Sequence, residues 1–306
     1  MRTRKYLCRF RQNGAFMLFD FLQRGFFYDI FNTAEKQASN AHFIALFGAV
    51  IGIIAVSYLL GSINTSIVIS KVFYHDDIRK HGSGNAGLTN TLRTYGKWAA
   101  IGTLLGDLLK TAIAVLIAGI VFGFEYAGGI SFGQYCYVAG LFAVVGHIFP
   151  IYYRFKGGKG VLAAATMALI LTPPLLLVLF IVFVGIVAIS RYVSLGSVVG
   201  VLFYPVSIFV YIKIFAGNAY TPLPLMSLCS ILLAILIIWC HRGNMERIAN
   251  HTERKLSFKK KPEVESVVIE DTQKAPTELI PCVYCGAMRD PAVKGCPSCG
   301  AGLDEK

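Results

Sequence analysis

Four polar, glycine-bearing stretches hold the residues able to do chemistry. HGSGNAGLTNTLRTYG at 81–96 carries Arg93 among glycines, amides and hydroxyls. GHIFPIYYRFKGGKG at 146–160 sets His147, Lys156 and Lys159 around paired glycines. RYVSLGS at 191–197 brings Ser194 and Ser197, and HRGNMERIANHTE at 241–253 brings His241 and Asn244. Glycine lets backbone N–H groups approach an anion closely, which gives Gly82, Gly84, Gly157 and Gly158 a reason to be there. Ser83, Asn85, Thr89, Asn90, Ser194 and Ser197 add neutral polar groups. Arg93 is suited to a bidentate grip on phosphate, and Lys156 and Lys159 add point charges. GKGVLAAAT begins a helix directly after the glycines, and helix N-termini favour anions. The chemistry implied is phosphate binding. It is not a nucleotide loop, because G-x-x-x-x-G-K-[ST] does not occur and FKGGKG lacks its spacing.

Each stretch also has a plainer reading: turns, a helix start, caps at Ser194 and Ser197, and satisfied interfacial histidines at His147 and His241. Asp107 and Lys110 lie three apart on one face of an apolar segment and can simply pair. Asp107 falls roughly 15 Å along that segment from Lys97 at the helical rise. An ionisable pair at that depth is energetically unfavourable enough to point to function.

The elements that must position these residues span a membrane. The 306 residues are 55% hydrophobic and 15% charged, with mean hydropathy +0.60. Apolar blocks at 42–60, 98–122, 134–149, 160–172, 174–190, 195–215 and 224–240 approach the ~20 residues that cross a bilayer core. Seven transmembrane helices are expected, the fourth short and ended by Pro173 and Pro174. Lys and Arg crowd 71–97, 150–160, Arg191 and the tail, and are absent from 123–133, 172–174 and 216–223. The positive-inside rule puts the first set in the cytoplasm, the N-terminus outside and the tail inside. Residues 1–41 conflict with this, since they carry Arg2, Arg4, Lys5, Arg9, Arg11, Arg24 and Lys36. Either translation starts at Met17, or this extension is an amphipathic helix on a membrane surface. No cleavable signal peptide is apparent. The expected organisation is the extension 1–41, a membrane domain 42–255, a flexible linker 256–281 and a small domain 282–302.

With this topology the four polar stretches gather at one membrane face. A transporter or channel, the competing reading, more often distributes polar residues along a path or at the midplane. A third reading is a membrane-anchored interaction protein whose purpose is the C-terminal domain. That domain reads CVYCGAMRDPAVKGCPSCGAGL, with Cys282, Cys285, Cys296 and Cys299 as two knuckles each followed by Gly. Four thiolates so spaced make a closed tetrahedral zinc ribbon, and a reducing cytoplasm disfavours disulfides. The ribbon is too short and too little charged to imply nucleic acid. The remaining Cys8, Cys136, Cys229 and Cys240 read as small apolar residues.

LLGSINTSIVISK, GSGNAGLTNTLR, DLLK, GHIFPIYYRFKGGKGV, RYVSLGS and HRGNMER occur in the order of the PlsY family, which the chain resembles over about 51–255. The family comprises bacterial membrane acyl-phosphate:glycerol-3-phosphate acyltransferases. The resemblance implies seven helices, a cytoplasmic-face site and no catalytic cofactor. It also implies transfer of a fatty acyl group from acyl phosphate to the 1-hydroxyl of glycerol 3-phosphate, giving lysophosphatidic acid and phosphate. By motif position it assigns catalysis to Ser83, Arg93, Lys156, Ser194, His241 and Asn244, with Ser62, Asp107, Lys110 and His147 in support. The H-x-x-x-x-D dyad of acyl-CoA-using glycerolipid acyltransferases is absent. Three positions depart from the usual family pattern: Asn64 replaces Pro, Thr111 replaces Gly and His251 replaces Gly. The first leaves the end of the first span open. The ribbon is not part of that pattern.

Overall fold

The computed structural model describes residues 40–123, 126–127, 130–131, 133–215, 224–256, 280–281 and 287–289. The N-terminal extension up to residue 39, most of the linker and all four ribbon cysteines lie outside the described residues. The chain divides into two compact units, Met1–Leu256 and Ser257–Lys306.

The first unit is a helical bundle. Its elements are α1 (Asn40–Ser62), α2 (Thr65–Phe73), α3 (Leu88–Tyr95), α4 (Lys97–Phe122) and α5 (Gln134–Ile148), then α6 (Val161–Leu171), α7 (Pro173–Ser190), α8 (Val193–Phe215), α9 (Pro224–Cys240) and α10 (Arg242–Ala249). Five described helices are long and apolar enough to cross a membrane, and a sixth arises if α9 and α10, bent by 49°, count as one. The expected fourth span is α6, which at 11 residues is too short by length alone. Short strands β1 (Tyr126–Ala127) and β2 (Ile130–Ser131) form an antiparallel pair. In the second unit β3 (Ile280–Pro281) pairs with β4 (Met288–Arg289), Ile280 opposite Arg289.

α5 is the central post. Its Tyr137, Ala139, Ala143 and Val144 are fully buried, and α1, α4, α6 and α9 pack around it. α1 crosses it at backbone contact. A Cβ at Gly61 would run into the Ala143 backbone, and one at Gly146 into the Tyr58 carbonyl. Small residues allow this approach where lipid gives no hydrophobic drive between helices. By contrast α7 is lipid-facing, with only Leu175 buried.

The motif loops are fastened at one end of this bundle. Asn64, the departure from Pro, separates α1 from α2 and caps α2. Its Oδ1 accepts from Ile67 N at 3.2 Å, and its Nδ2 donates to the Ala86 carbonyl at 3.3 Å. The open end of the first span is thereby closed by an N-cap that also reaches the 81–96 loop. Thr111 is buried and donates to the Asp107 carbonyl at 3.1 Å. His251 has φ 56°, a conformation in which glycine is at ease and other residues are strained. Arg79, counted above only as a positive charge, ties two loops together. Asp77 holds it through a 2.6 Å Nη2 contact, and its Nη1 donates to the carbonyls of Tyr153 (3.0 Å) and Lys156 (3.1 Å). The Arg79 hydrogen bond draws the Asp77 carboxyl down to about 2, so the clamp is charged at any physiological pH.

Candidate active site

The four motif stretches surround one cavity of about 800 Å³, polar at the loop end and apolar within. The 81–96 loop lines it with Gly82, Ser83, Asn85, Thr89, Asn90 and Arg93. Thr89 and Arg93 stand four apart on α3 and so share a face. Arg93 is exposed and makes no ion pair or hydrogen bond among the described residues. Asn90 braces the loop. Its Oδ1 accepts from Ser83 N at 3.0 Å, and its Nδ2 donates to the carbonyls of His81 (2.9 Å) and Ile78 (3.2 Å). That internal satisfaction lets Gly82 sit at φ 59°. Gly84 is exposed and does not line the cavity; its N–H donates to the His81 carbonyl.

Across the mouth lies a hydrogen-bonded network. Lys159 Nζ donates to Asn244 Oδ1. Asn244 Nδ2 donates to Ser194 Oγ (2.8 Å) and Glu253 Oε1 (2.7 Å). Ser194 Oγ donates to the same Glu253 oxygen at 3.0 Å, and Arg247 Nε to Glu253 Oε2 at 2.7 Å. Burial pushes the Lys159 ammonium down to about 8, and Glu253 opposes that only partly. Burial pushes the Glu253 carboxyl up, yet donors from Arg247, Asn244 and Ser194 outweigh it and the group stays below its ordinary value. Glu253, Arg247 and Arg79 were missed in the sequence, where each reads as one more charge in a polar loop.

His241 is buried at the mouth, with Nδ1 2.8 Å from the Ile237 carbonyl. A carbonyl only accepts, so Nδ1 carries the proton and Nε2 is left with a lone pair. Ser197 lines the wall, its hydroxyl turned to the Val193 carbonyl at 3.0 Å.

The second motif places its two lysines differently. Lys156 is exposed, does not line the cavity, and meets Arg79 through its carbonyl. Lys159, three residues on, is the lysine in the cavity. Gly157 and Gly158 do not offer N–H groups to a ligand. Those donate to the Ile148 and His147 carbonyls at 3.1 Å each. These positions are glycine because a Cβ at either would collide with the end of α5: at Gly157 with the His147 carbonyl, at Gly158 with the His147 ring and the Ala86 carbonyl. Gly160, at φ 80°, then turns the chain into α6, whose first turn has no side-chain cap and opens on the cavity.

Beneath the mouth lies a buried ionic cluster. Lys110 Nζ contacts Asp107 Oδ1 (2.8 Å), the Ile63 carbonyl (2.9 Å) and His147 Nδ1 (2.9 Å), which uses all three ammonium protons. Thr65 Oγ1 donates to Asp107 at 3.1 Å. Asp107 and His147 reach the cavity wall; Lys110 does not. Ser62 is also away from it, bridging the Tyr58 carbonyl and Ile151 N. The cluster therefore joins α2 and the α1–α2 link to α4 and α5 at the point where Gly158 touches His147.

A family model described as glycerol-3-phosphate acyltransferase matches residues 51–251. The chain belongs to the glycerol-3-phosphate acyltransferase family. Relatives of that name include a protein of Clostridioides difficile (strain 630), 41% identical over 211 residues, covering 68% of this chain and 96% of the relative. One of Mycoplasmopsis agalactiae is 39% identical over 224 residues, covering 66% and 91%. Two crystal structures of the integral membrane acyltransferase PlsY are similar, each covering 68% of this chain and 96% of theirs. The glycerol 3-phosphate form is 33% identical with TM-score 0.58, and the lysophosphatidic acid form 32% with TM-score 0.56. The family match encloses every cavity-lining residue up to Asn244 and Arg247, and ends just before Glu253. This acyltransferase is a multi-pass, mostly helical membrane protein.

Proposed function

We propose that the protein transfers a fatty acyl group from acyl phosphate to the 1-hydroxyl of sn-glycerol 3-phosphate, releasing lysophosphatidic acid and inorganic phosphate. The observation that carries this is a single cavity with a cationic, hydrogen-bonding mouth and an apolar interior. Both substrates carry phosphate, and one carries a long chain. PlsY was crystallised in forms described by glycerol 3-phosphate and by lysophosphatidic acid, which supports the same pair here.

In this reading Arg93, Ser83, Asn85 and Thr89 hold one phosphate, and Lys159, His241, Asn244 and Ser194 hold the other. The hydroxyl oxygen attacks the acyl carbonyl carbon. The C–O bond to phosphate breaks, and a phosphate oxygen takes the hydroxyl proton. Acyl phosphate is already activated, so the protein contributes orientation and charge neutralisation more than a nucleophile. Glu253 and Arg247 hold Asn244 and Ser194 in place. The cluster of Asp107, Lys110 and His147 supports the wall.

The chain crosses the bacterial cell membrane seven times with α6 as a short crossing. The loop face and C-terminus are cytoplasmic and the N-terminus is outside. Cys282, Cys285, Cys296 and Cys299 hold one structural zinc, for which four thiolates are the fitting donor set. The decisive assay mixes purified protein with acyl phosphate and glycerol 3-phosphate. Phosphate release that requires glycerol 3-phosphate and tracks lysophosphatidic acid supports the proposal; release without it, or none, refutes it.

A further inference from the structure

The apolar arm of the cavity has a measurable depth and a defined floor. Four helices run alongside it: α7 contributes Leu176, Leu179, Phe180 and Phe183, its lining ending one turn from Thr172, and the other three give the depth from the mouth. On α6 the lining ends at Ala168, eight residues beyond Gly160; on α9 it ends at Leu233, eight before His241; on α8 it ends at Tyr204, ten beyond Ser194. At the helical rise these are depths of ~12, ~12 and ~15 Å. Past Tyr204 no described residue of α8 lines the cavity. Leu171, Leu175 and Ile208 are buried in the same core as Tyr204 and do not line the cavity.

Tyr204 is the bulky member of that floor, and it is pinned. The residue is only 4% exposed, and its hydroxyl sits 3.2 Å from Thr172 Oγ1, which donates to the Ala168 carbonyl at 3.1 Å. A hydroxyl at the bottom of an apolar arm needs such a partner, and the partner fixes the ring's reach. Ala168, about one turn of α6 before Thr172, lines the arm just short of Tyr204 and is small enough to leave it open to that point.

We propose that Tyr204 is the chain-length gauge of the acyl site: its ring, braced on Thr172, stops an extended acyl chain that enters from the mouth. This rests on the acyl-phosphate reading above. Single C–C bonds of ~1.52 Å at about 111° advance an extended chain ~1.25 Å per carbon. A ~15 Å arm therefore takes about twelve carbons straight. A longer chain has to bend or leave between helices.

The test is a competition between dodecanoyl and hexadecanoyl phosphate at limiting concentration. It uses the full chain in nanodiscs of fixed lipid composition. Tyr204→Ala is expected to raise the hexadecanoyl-to-dodecanoyl product ratio by about tenfold, the scale on which an apolar pocket discriminates by chain length. Tyr204→Phe keeps the ring and should leave the ratio unchanged. Ala168→Leu fills the arm just short of the floor and should lower the ratio. An unchanged ratio in a folded Tyr204→Ala, or Tyr204→Phe moving like Tyr204→Ala, overturns the gauge. If Tyr204→Ala does not fold, Ala168→Leu decides: a lowered ratio supports the gauge and an unchanged one overturns it. Displacement binding of dodecyl and hexadecyl phosphonate to the same proteins reads the gauge without turnover. A shift there with no product from any acyl phosphate refutes the reaction and keeps the gauge.

Discussion

Lys156 and Lys159 are three apart in a run of glycines, and residue type alone does not choose between them. The structure separates them: Lys156 is exposed and holds Arg79 only through its carbonyl, while Lys159 enters the cavity and meets Asn244. Lys159→Ala should therefore lower kcat/KM at least tenfold, since a charge-assisted hydrogen bond contributes about 1.5–3 kcal/mol. Lys156→Ala should stay within about threefold of the unmodified protein, because exposed charges contribute little. Equal losses in steady-state rate would place both in the site. Lys159 also gives the reaction an alkaline limit. With its ammonium brought down to about 8 by burial, it is charged below that pH and loses its charge above it. KM for glycerol 3-phosphate should climb by up to about tenfold per pH unit beyond the limit. Lys159→Arg should remove that limb, because guanidinium stays protonated. A KM flat from pH 7 to 10 in the unmodified protein would take Lys159 out of phosphate binding. Glu253 was illegible in the sequence for a different reason: its role is to hold Asn244, Ser194 and Arg247, and those contacts exist only once α8 and α10 are brought together.

The elements were legible where apolar runs are long. α1, α4, α5, α7, α8 and α9 each follow an apolar block, because lipid-facing and core-facing surfaces are both apolar and no periodicity is needed to see them. α2 and α3 lack that signal. They are short helices of nine and eight residues, and they form because Asn64 caps the first and the Asn90 brace holds the loop before the second. The glycines read as letting N–H groups approach an anion serve the backbone: Gly82 and Gly84 take positive φ, as do Gly96 and Gly160, and Gly157 and Gly158 are glycine for want of space. Gly158→Ala tests that distinction. Its methyl would press on the His147 ring and the Ala86 carbonyl, and overpacking of this kind costs about 1–3 kcal/mol. A lower melting temperature is expected together with a fall in activity, since the displaced segment carries Lys159. Full stability and full rate would show that the loop is looser than its contacts imply.

For the molecule as a whole, the boundary at Leu256/Ser257 leaves every cavity-lining residue among the described residues in the first unit. Leu256 belongs with the first, its N–H bonded to the Arg191 carbonyl at 2.7 Å. A chain ending at Leu256 should insert and turn over at the full-length rate. Metal analysis should find one zinc per full-length chain and none in the shortened one. A folded but inactive shortened chain would make the second unit part of the mechanism. In the sequence the apolar blocks stop before 241 and the cysteine pairs come after 281. What the sequence does not carry is the meeting of the four motif stretches around one cavity, which depends on α5 packing at the centre of the bundle. The central claim is that this cavity joins an acyl phosphate to glycerol 3-phosphate. The most direct measurement gives the purified protein glycerol 3-phosphate with equal amounts of acyl phosphate and acyl-CoA, their acyl groups carrying different isotopes, and weighs the lysophosphatidic acid formed. Product bearing only the acyl-phosphate label is the predicted result; product bearing the acyl-CoA label would contradict it.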